Sequence, residues 1–178
     1  AALTSTLSDQ RARSGLDVPG FLADDAQKEA FIAAVFPRLL SVIGSNTTSG
    51  VYLILGNDGD LSVEQDHIGA FLRDSDPNSS SDSYSDLLLE RGDKELARNT
   101  SIALDNTWAP KLHLAGNGMR SADDFFYKPY EAALQNPGVE AKALAYWSQP
   151  FVLEGNPNDS YRMIAYSLPL MYEGRVYG

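Results

Sequence analysis

Apolar residues recur along this chain with two periods, one helical and one extended. Over residues 25–43, Phe31, Ile32, Val35, Phe36, Leu39, Leu40, Val42 and Ile43 follow an i, i+1, i+4, i+5 spacing. That spacing predicts an amphipathic helix with one wide apolar stripe. Asp24 or Asp25 can cap it, and Gly44 and Asn46 end it. Pro37 falls on the opposite face and predicts a kink, because it lacks a backbone donor and crowds the carbonyl of Ala33. Upstream, residues 1–13 are helix-compatible, with Leu3 and Leu7 four apart, until Gly15 and Val18-Pro19-Gly20 break the pattern.

Beyond the helix, short β-prone runs alternate with turn residues. Residues 50–56 predict a central strand, Asn57-Asp58-Gly59-Asp60 the turn after it, and residues 67–73 a second strand. Residues 87–98 suggest a strand end, a turn at Gly92 and one helical turn. Residues 101–114, with Trp108-Ala109-Pro110, suit irregular structure packed over the core. Residues 123–135 read as a helix interrupted by Pro129, with Asp123 and Asp124 at the positive end of its dipole. Two apolar-aromatic runs, 144–153 and 163–172, are joined by a turn-rich segment, and Glu173-Gly174 leads into Arg175-Val176-Tyr177-Gly178. This is the pattern of an antiparallel meander. Its alternation sets Leu144, Tyr146 and Ser148 on one face and Ala145, Trp147 and Gln149 on the other; neither is purely polar, so both should be covered. Together these elements predict an α+β fold: a mainly antiparallel sheet of about five strands, with the 25–43 helix on one face and the 123–135 segment on the other.

Composition narrows the function classes. The chain has 178 residues and 43% hydrophobic content, enough for one core, read as residues 1–45, a helical segment, joined to 46–178 as one unit. A net charge of −10 argues against a nucleic-acid partner, which needs clustered Lys and Arg, and gives no help at an anionic bilayer. With 0 Cys there is no disulfide framework, thiolate metal site or Cys nucleophile. No apolar run approaches the roughly twenty residues of a spanning helix, and no signal peptide precedes the opening residues.

Particular residues bear on three further chemistries. Asp74, Asp76 and Asn78 stand at the first, third and fifth positions of an EF-hand-like array, but Pro77, Ser79 and Ser85 occupy its fourth, sixth and twelfth positions, where Gly and a bidentate Glu are needed at the last two. A solvated acidic, Ser-rich loop is the better reading, and no metal or cofactor is expected. Only His67 and His113 offer imidazole bases, in separate segments, and no nucleophile elbow or phosphate loop occurs. A hydrolase using paired carboxylates stays open among 24 acidic residues, as does a non-catalytic carbohydrate-binding or adhesion module.

The strand core Trp147, Ser148, Pro150, the following Tyr166, Ser167, Pro169 and the return Gly174, Val176, Gly178 resemble the end of the membrane-distal module of a Cache domain. These are PAS-like extracytoplasmic sensor domains of bacterial histidine kinases, diguanylate cyclases and chemoreceptors. The resemblance covers about the last fifty residues; upstream it is an order of elements. It implies a PAS-like sheet with long N-terminal helices on one face and a helix and loop flap on the other. It also implies a small-molecule ligand, a relay through the helices, pairing of two copies through those helices, and membrane attachment through segments outside this chain. On it, Tyr127, Lys128 and Tyr130 lie near the pocket mouth, Tyr146, Trp147, Ser148 and Tyr166 belong to the cup, and Lys128 or Arg162 pairs a ligand carboxylate. Core packing is the favoured role for each of these aromatics, Trp147 included, and for Lys128 a solvated surface position stands level with ligand contact. The family's amino-acid motif, an Arg and an aromatic pair on the flap, is here Lys128-Pro129-Tyr130. An amino-acid ligand therefore has no specific support.

Overall fold

The computed structural model describes residues 6–9, 15–45, 48–76, 84–152 and 162–178. Most of the acidic loop and the turn joining the last two apolar runs lie outside these residues, as does most of the 1–13 segment. Residues 6–9 are helical, and Leu7 is buried.

The break expected at Pro19 is instead a short helix, α1 (Val18–Ala23). Proline in a first turn forfeits no helical bond, and Asp17 caps the turn by accepting from the Gly20 amide at 2.9 Å. Asp24 then accepts from the Gln27 amide at 3.1 Å and opens α2 (Asp25–Ser45), which runs through Pro37 on its exposed side. The anticipated stripe of α2 is buried except for Val42.

Four strands form the main sheet in the order β1-β3-β4-β5: β1 (Gly50–Ile54), β3 (Gly69–Asp74), β4 (Leu87–Arg91) and β5 (Ala103–Ala109). The first three are antiparallel, but β5 lies parallel to β4 after a crossover through α3 (Lys94–Thr100). The fold is α+β as expected, with a mixed main sheet. Residues 101–114, read as irregular, hold β5 and β6 (Leu112–Leu114). The alternation of β5 is masked by Asp105, Asn106 and Thr107, two of which serve half-buried polar contacts. β2 (Gln65–His67) leaves the second predicted strand to pair with β6.

Alternation along β1 divides the core into two layers. Val51, Leu53 and Leu55 join α1, α2 and α3; Tyr52 and Ile54 join α4 (Asp124–Gln135), Leu112, Leu114 and Phe151. The helix and the flap segment thus occupy opposite faces, as the pattern predicted. The chain then closes with β7 (Tyr146–Trp147) paired to β8 (Tyr166–Ser167), a Phe151–Met163 bridge, and the hairpin β9 (Met171–Tyr172) and β10 (Arg175–Val176). Glu173 and Gly174 turn that hairpin with positive φ, at 49° and 75°. The meander is antiparallel throughout, but its strands are short.

Candidate functional site

A recess of about 790 Å³ opens along the outer edge of β1. One wall is β1 itself; the facing wall is residues 162–168 with Leu170, and Gly178 stands at one end. α4 contributes Phe125, Phe126 and Pro129 from one side, and α2 contributes Leu39 and Val42 from the other. Its described lining carries no acidic side chain and a single cationic one, Arg162. Such a volume and such an apolar lining are those of a ligand cavity.

Tight contacts fix this cavity. The Tyr52 hydroxyl hydrogen-bonds with Ser167 Oγ, tying β1 to the facing wall, and burial pushes the Tyr52 phenol up to about 12 despite that bond. Phe125 stacks on Phe151 at 4.8 Å and meets Tyr52 edge-on at 5.2 Å. Ser148 donates its amide to the Ala165 carbonyl and accepts the Ala165 amide on Oγ, both at close hydrogen-bonding distance, so its part is to hold the wall rather than to face the cavity.

Of the residues singled out in the sequence, Trp147, Arg162 and Tyr166 meet at this cavity. Trp147 is 65% exposed and leans on the Tyr166 ring at 4.8 Å. It is not a core residue, because the outer face of the two-residue β7 has no layer over it. Tyr127 and Tyr130 are not at the mouth either: they are 1% and 4% exposed and belong to the packed interior. Their phenols are pushed up to about 12, by burial first and then by Asp123 for Tyr127 and Asp58 for Tyr130. The Tyr130 hydroxyl fills the space where Gly56 has no side chain; a Cβ there would overlap it. Lys128 is exposed and Tyr146 half-buried, and neither lines the cavity. Sequence reasoning missed Tyr52, Phe125, Phe126 and the α2 pair Leu39 and Val42. The exposed position of Val42 within an otherwise buried stripe appears only once α2 is seated.

A second recess of about 280 Å³ is lined by Arg91, Lys111, His113, Arg120 and Asp123 together with Phe125 and Phe151. Its cations already have partners. Arg120 holds Asp123 at 2.9 Å, Lys111 meets Asp25 at 3.1 Å, and His113 lies between Glu64 at 2.7 Å and Asp66 at 3.0 Å. Arg91 donates to the carbonyls of Glu90 and Thr107. Elsewhere Arg73 pairs with both Glu90 and Asp105 across β3, β4 and β5. Burial raises the Glu90 carboxyl against the pull of Arg73, while bonds from Thr107 and Arg73 overcome burial and lower Asp105. Of the EF-hand-like array set aside above, Asp74 accepts from the Asp76 amide at 2.9 Å; Pro77, Asn78 and Ser79 lie outside the described residues. Among the described residues no helix is long and apolar enough to cross a membrane, and no cluster of three His, Asp or Glu could hold a metal.

No family model, curated protein or solved structure matches this chain.

Proposed function

We propose that this chain is the ligand-recognition module of an extracytoplasmic bacterial sensor of the Cache kind, attached to the membrane through segments outside the chain. A small ligand enters the β1-edge cavity and alters the position of the helices, which carry the change toward a cytoplasmic output domain. One observation carries the reading: the same cavity touches Phe125 and Pro129 of α4 and Leu39 and Val42 of α2. A bound ligand therefore meets the flap and the helix layer at once, around the edge of the sheet. Trp147 and Tyr166 supply apolar walls, and Arg162 the one charge able to pair an anionic group.

The ligand acts only through a difference in affinity between two positions of those elements; tight binding to both would move nothing. Thermal-shift screening against amino acids, organic acids, amines, purines and sugars should show stabilisation by one class. A ligand at about a hundred times its dissociation constant adds roughly 2.7 kcal/mol. Preferential binding of oligosaccharides would replace this reading with an adhesion module. Turnover that disappears on replacing a single carboxylate would replace it with a hydrolase.

A further inference from the structure

The smaller recess is charged where the larger one is apolar. Three permanent cations line it, Arg91, Lys111 and Arg120, against one acid, Asp123, which leaves its lining two positive charges in excess. The chain as a whole carries −10, so this excess is local to the recess and attracts anions that the rest of the surface repels. The acid is fully engaged. Asp123 is 3% exposed, receives the Arg120 guanidinium on both oxygens at 2.9 and 3.0 Å, and accepts the Ala115 amide at 2.9 Å. That two-pronged pair fixes Arg120 at the start of α4.

Arg91 is buried and held by backbone: one terminal nitrogen donates to the Glu90 and Thr107 carbonyls, both at 2.8 Å. Carbonyls orient a guanidinium without neutralising it, and the Glu90 carboxylate itself bonds Arg73. Lys111 is the adjustable member. It meets Asp25, which lies outside the lining, at 3.1 Å, and both side chains reach solvent, at 38% and 57% exposure. An exposed pair of this kind is weak, so Lys111 can exchange Asp25 for the charge of a guest. His113 stays with Glu64 and Asp66 on the exposed side. The remaining wall is apolar, with Leu112, Leu114 and the stacked rings of Phe125 and Phe151. At about 280 Å³ the recess lies at the small end of ligand pockets, which span roughly 300–1,000 Å³, and limits a guest to one small ring or short chain.

We propose that this recess is a second binding site, which takes a small organic carboxylate with a compact apolar body. Lys111 pairs the carboxylate, Arg91 and Arg120 supply the fixed positive field around it, and the body packs against Phe125 and Phe151. Leu112, Phe125 and Phe151 also wall the larger cavity, so the two recesses share one partition. The site stands on its own lining and does not depend on the sensing role given to that cavity.

The test titrates benzoate into the isotope-labelled chain, followed by NMR, with benzamide and inorganic phosphate as comparisons. Saturable shifts are expected at the Leu112, His113 and Leu114 amides while the Trp147 indole stays unmoved, with affinity at least tenfold above that for either comparison. Lys111→Met should weaken benzoate binding at least fivefold. Asp25→Asn removes the competing charge, keeps an oxygen for Lys28, and should strengthen binding at least twofold. Loss in both variants, or unchanged affinity in either, would make the Lys111–Asp25 pair purely structural and overturn the proposal. Equal binding of benzamide overturns the role of charge, and equal binding of phosphate overturns the role of the apolar wall. No saturable shift, or shifts confined to Trp147 and residues 162–168, overturns the site itself. The sensing role of the larger cavity is decided separately, by its own ligand screen.

Discussion

The two faces of the main sheet are packed to different standards. Toward α2 the centre of the layer is closed, and only its Leu39 and Val42 end meets the larger recess: Phe21, Phe31 and Tyr177 meet edge-on with centroids 5.7 to 6.3 Å apart, and Phe31 and Val35 are fully buried. Toward α4 there are more ring contacts, yet that side borders both recesses. The two buried polar atoms without a hydrogen-bond partner among the described residues, His67 Nε2 and the Tyr127 hydroxyl, both belong to residues whose rings touch Phe126 of α4. A buried unpaired polar group lowers stability by about 1–3 kcal/mol. Both unpaired atoms thus fall in the flap layer, and mobile and binding elements are drawn from such less completely satisfied regions.

That contrast can be broken by paired substitutions. Phe31→Ala and Tyr130→Ala should each destabilise by about 3–5 kcal/mol in urea unfolding, since both rings are buried. Only Tyr130→Ala, beside Phe126 at 5.2 Å, should also weaken ligand stabilisation. Equal effects on binding would remove the distinction between the faces. Next in size is Arg73→Met, which leaves Glu90, with a side chain 3% exposed, without its closest cation. A loss of about 3 kcal/mol is expected, recovered in part by adding Glu90→Gln. Recovery by the second change separates an orphaned charge from lost packing.

The pH dependence sharpens the same contrast. Burial, aided by the Lys28 charge, pushes His67 down to about 4 against its bond to the Leu55 carbonyl. The unfolded chain takes up this proton near pH 6.5 and the folded one only near pH 4, so protonation favours unfolding. Stability falls as pH drops from about 6.5 to 4, by about 3 kcal/mol at most from this group. Urea midpoints at pH 7.5 and 5 should separate more for the parent than for His67→Phe; equal separations would refute a buried neutral imidazole. His113, raised by Asp66 and Glu64, contributes in the opposite sense, present at low pH and lost as pH rises through its folded value, and solvent screening keeps it small.

The smallest expected change in stability is for Trp147→Ala, within about 0.5 kcal/mol because the ring is mostly exposed. Thermal unfolding checks it, and ligand stabilisation should drop in the same variant. A large loss of stability without a change in binding would return Trp147 to the core.

What could be read from the sequence was what local periodicity encodes. The α2 stripe, the apolar run of β1, the helix after Asp123 and the antiparallel return of the last third all follow from side-chain spacing and turn residues. What could not be read depends on a neighbour. β5 hides behind Asp105 and Thr107, whose polarity answers Arg73 on another strand. Trp147 looks like core until β7 proves too short to carry a covering layer. The resemblance puts Tyr127 and Tyr130 near the ligand; the rotation of α4 about its axis, which spacing alone leaves free, presents Phe125, Phe126 and Pro129 to the cavity instead.

Tyr177 carries one more consequence, for the order of assembly. Its ring completes the Phe21 and Phe31 cluster, joining partners distant in sequence, and its backbone locks Gly56 and Leu170. The α1–α2 helices and the β1–β3 hairpin are local and can form early, but their layer lacks its central ring until the last hairpin docks. During synthesis on the ribosome the first half of the chain must therefore wait, incompletely packed and with β1 open on its outer edge. In that interval strand-to-strand association between nascent chains competes with folding.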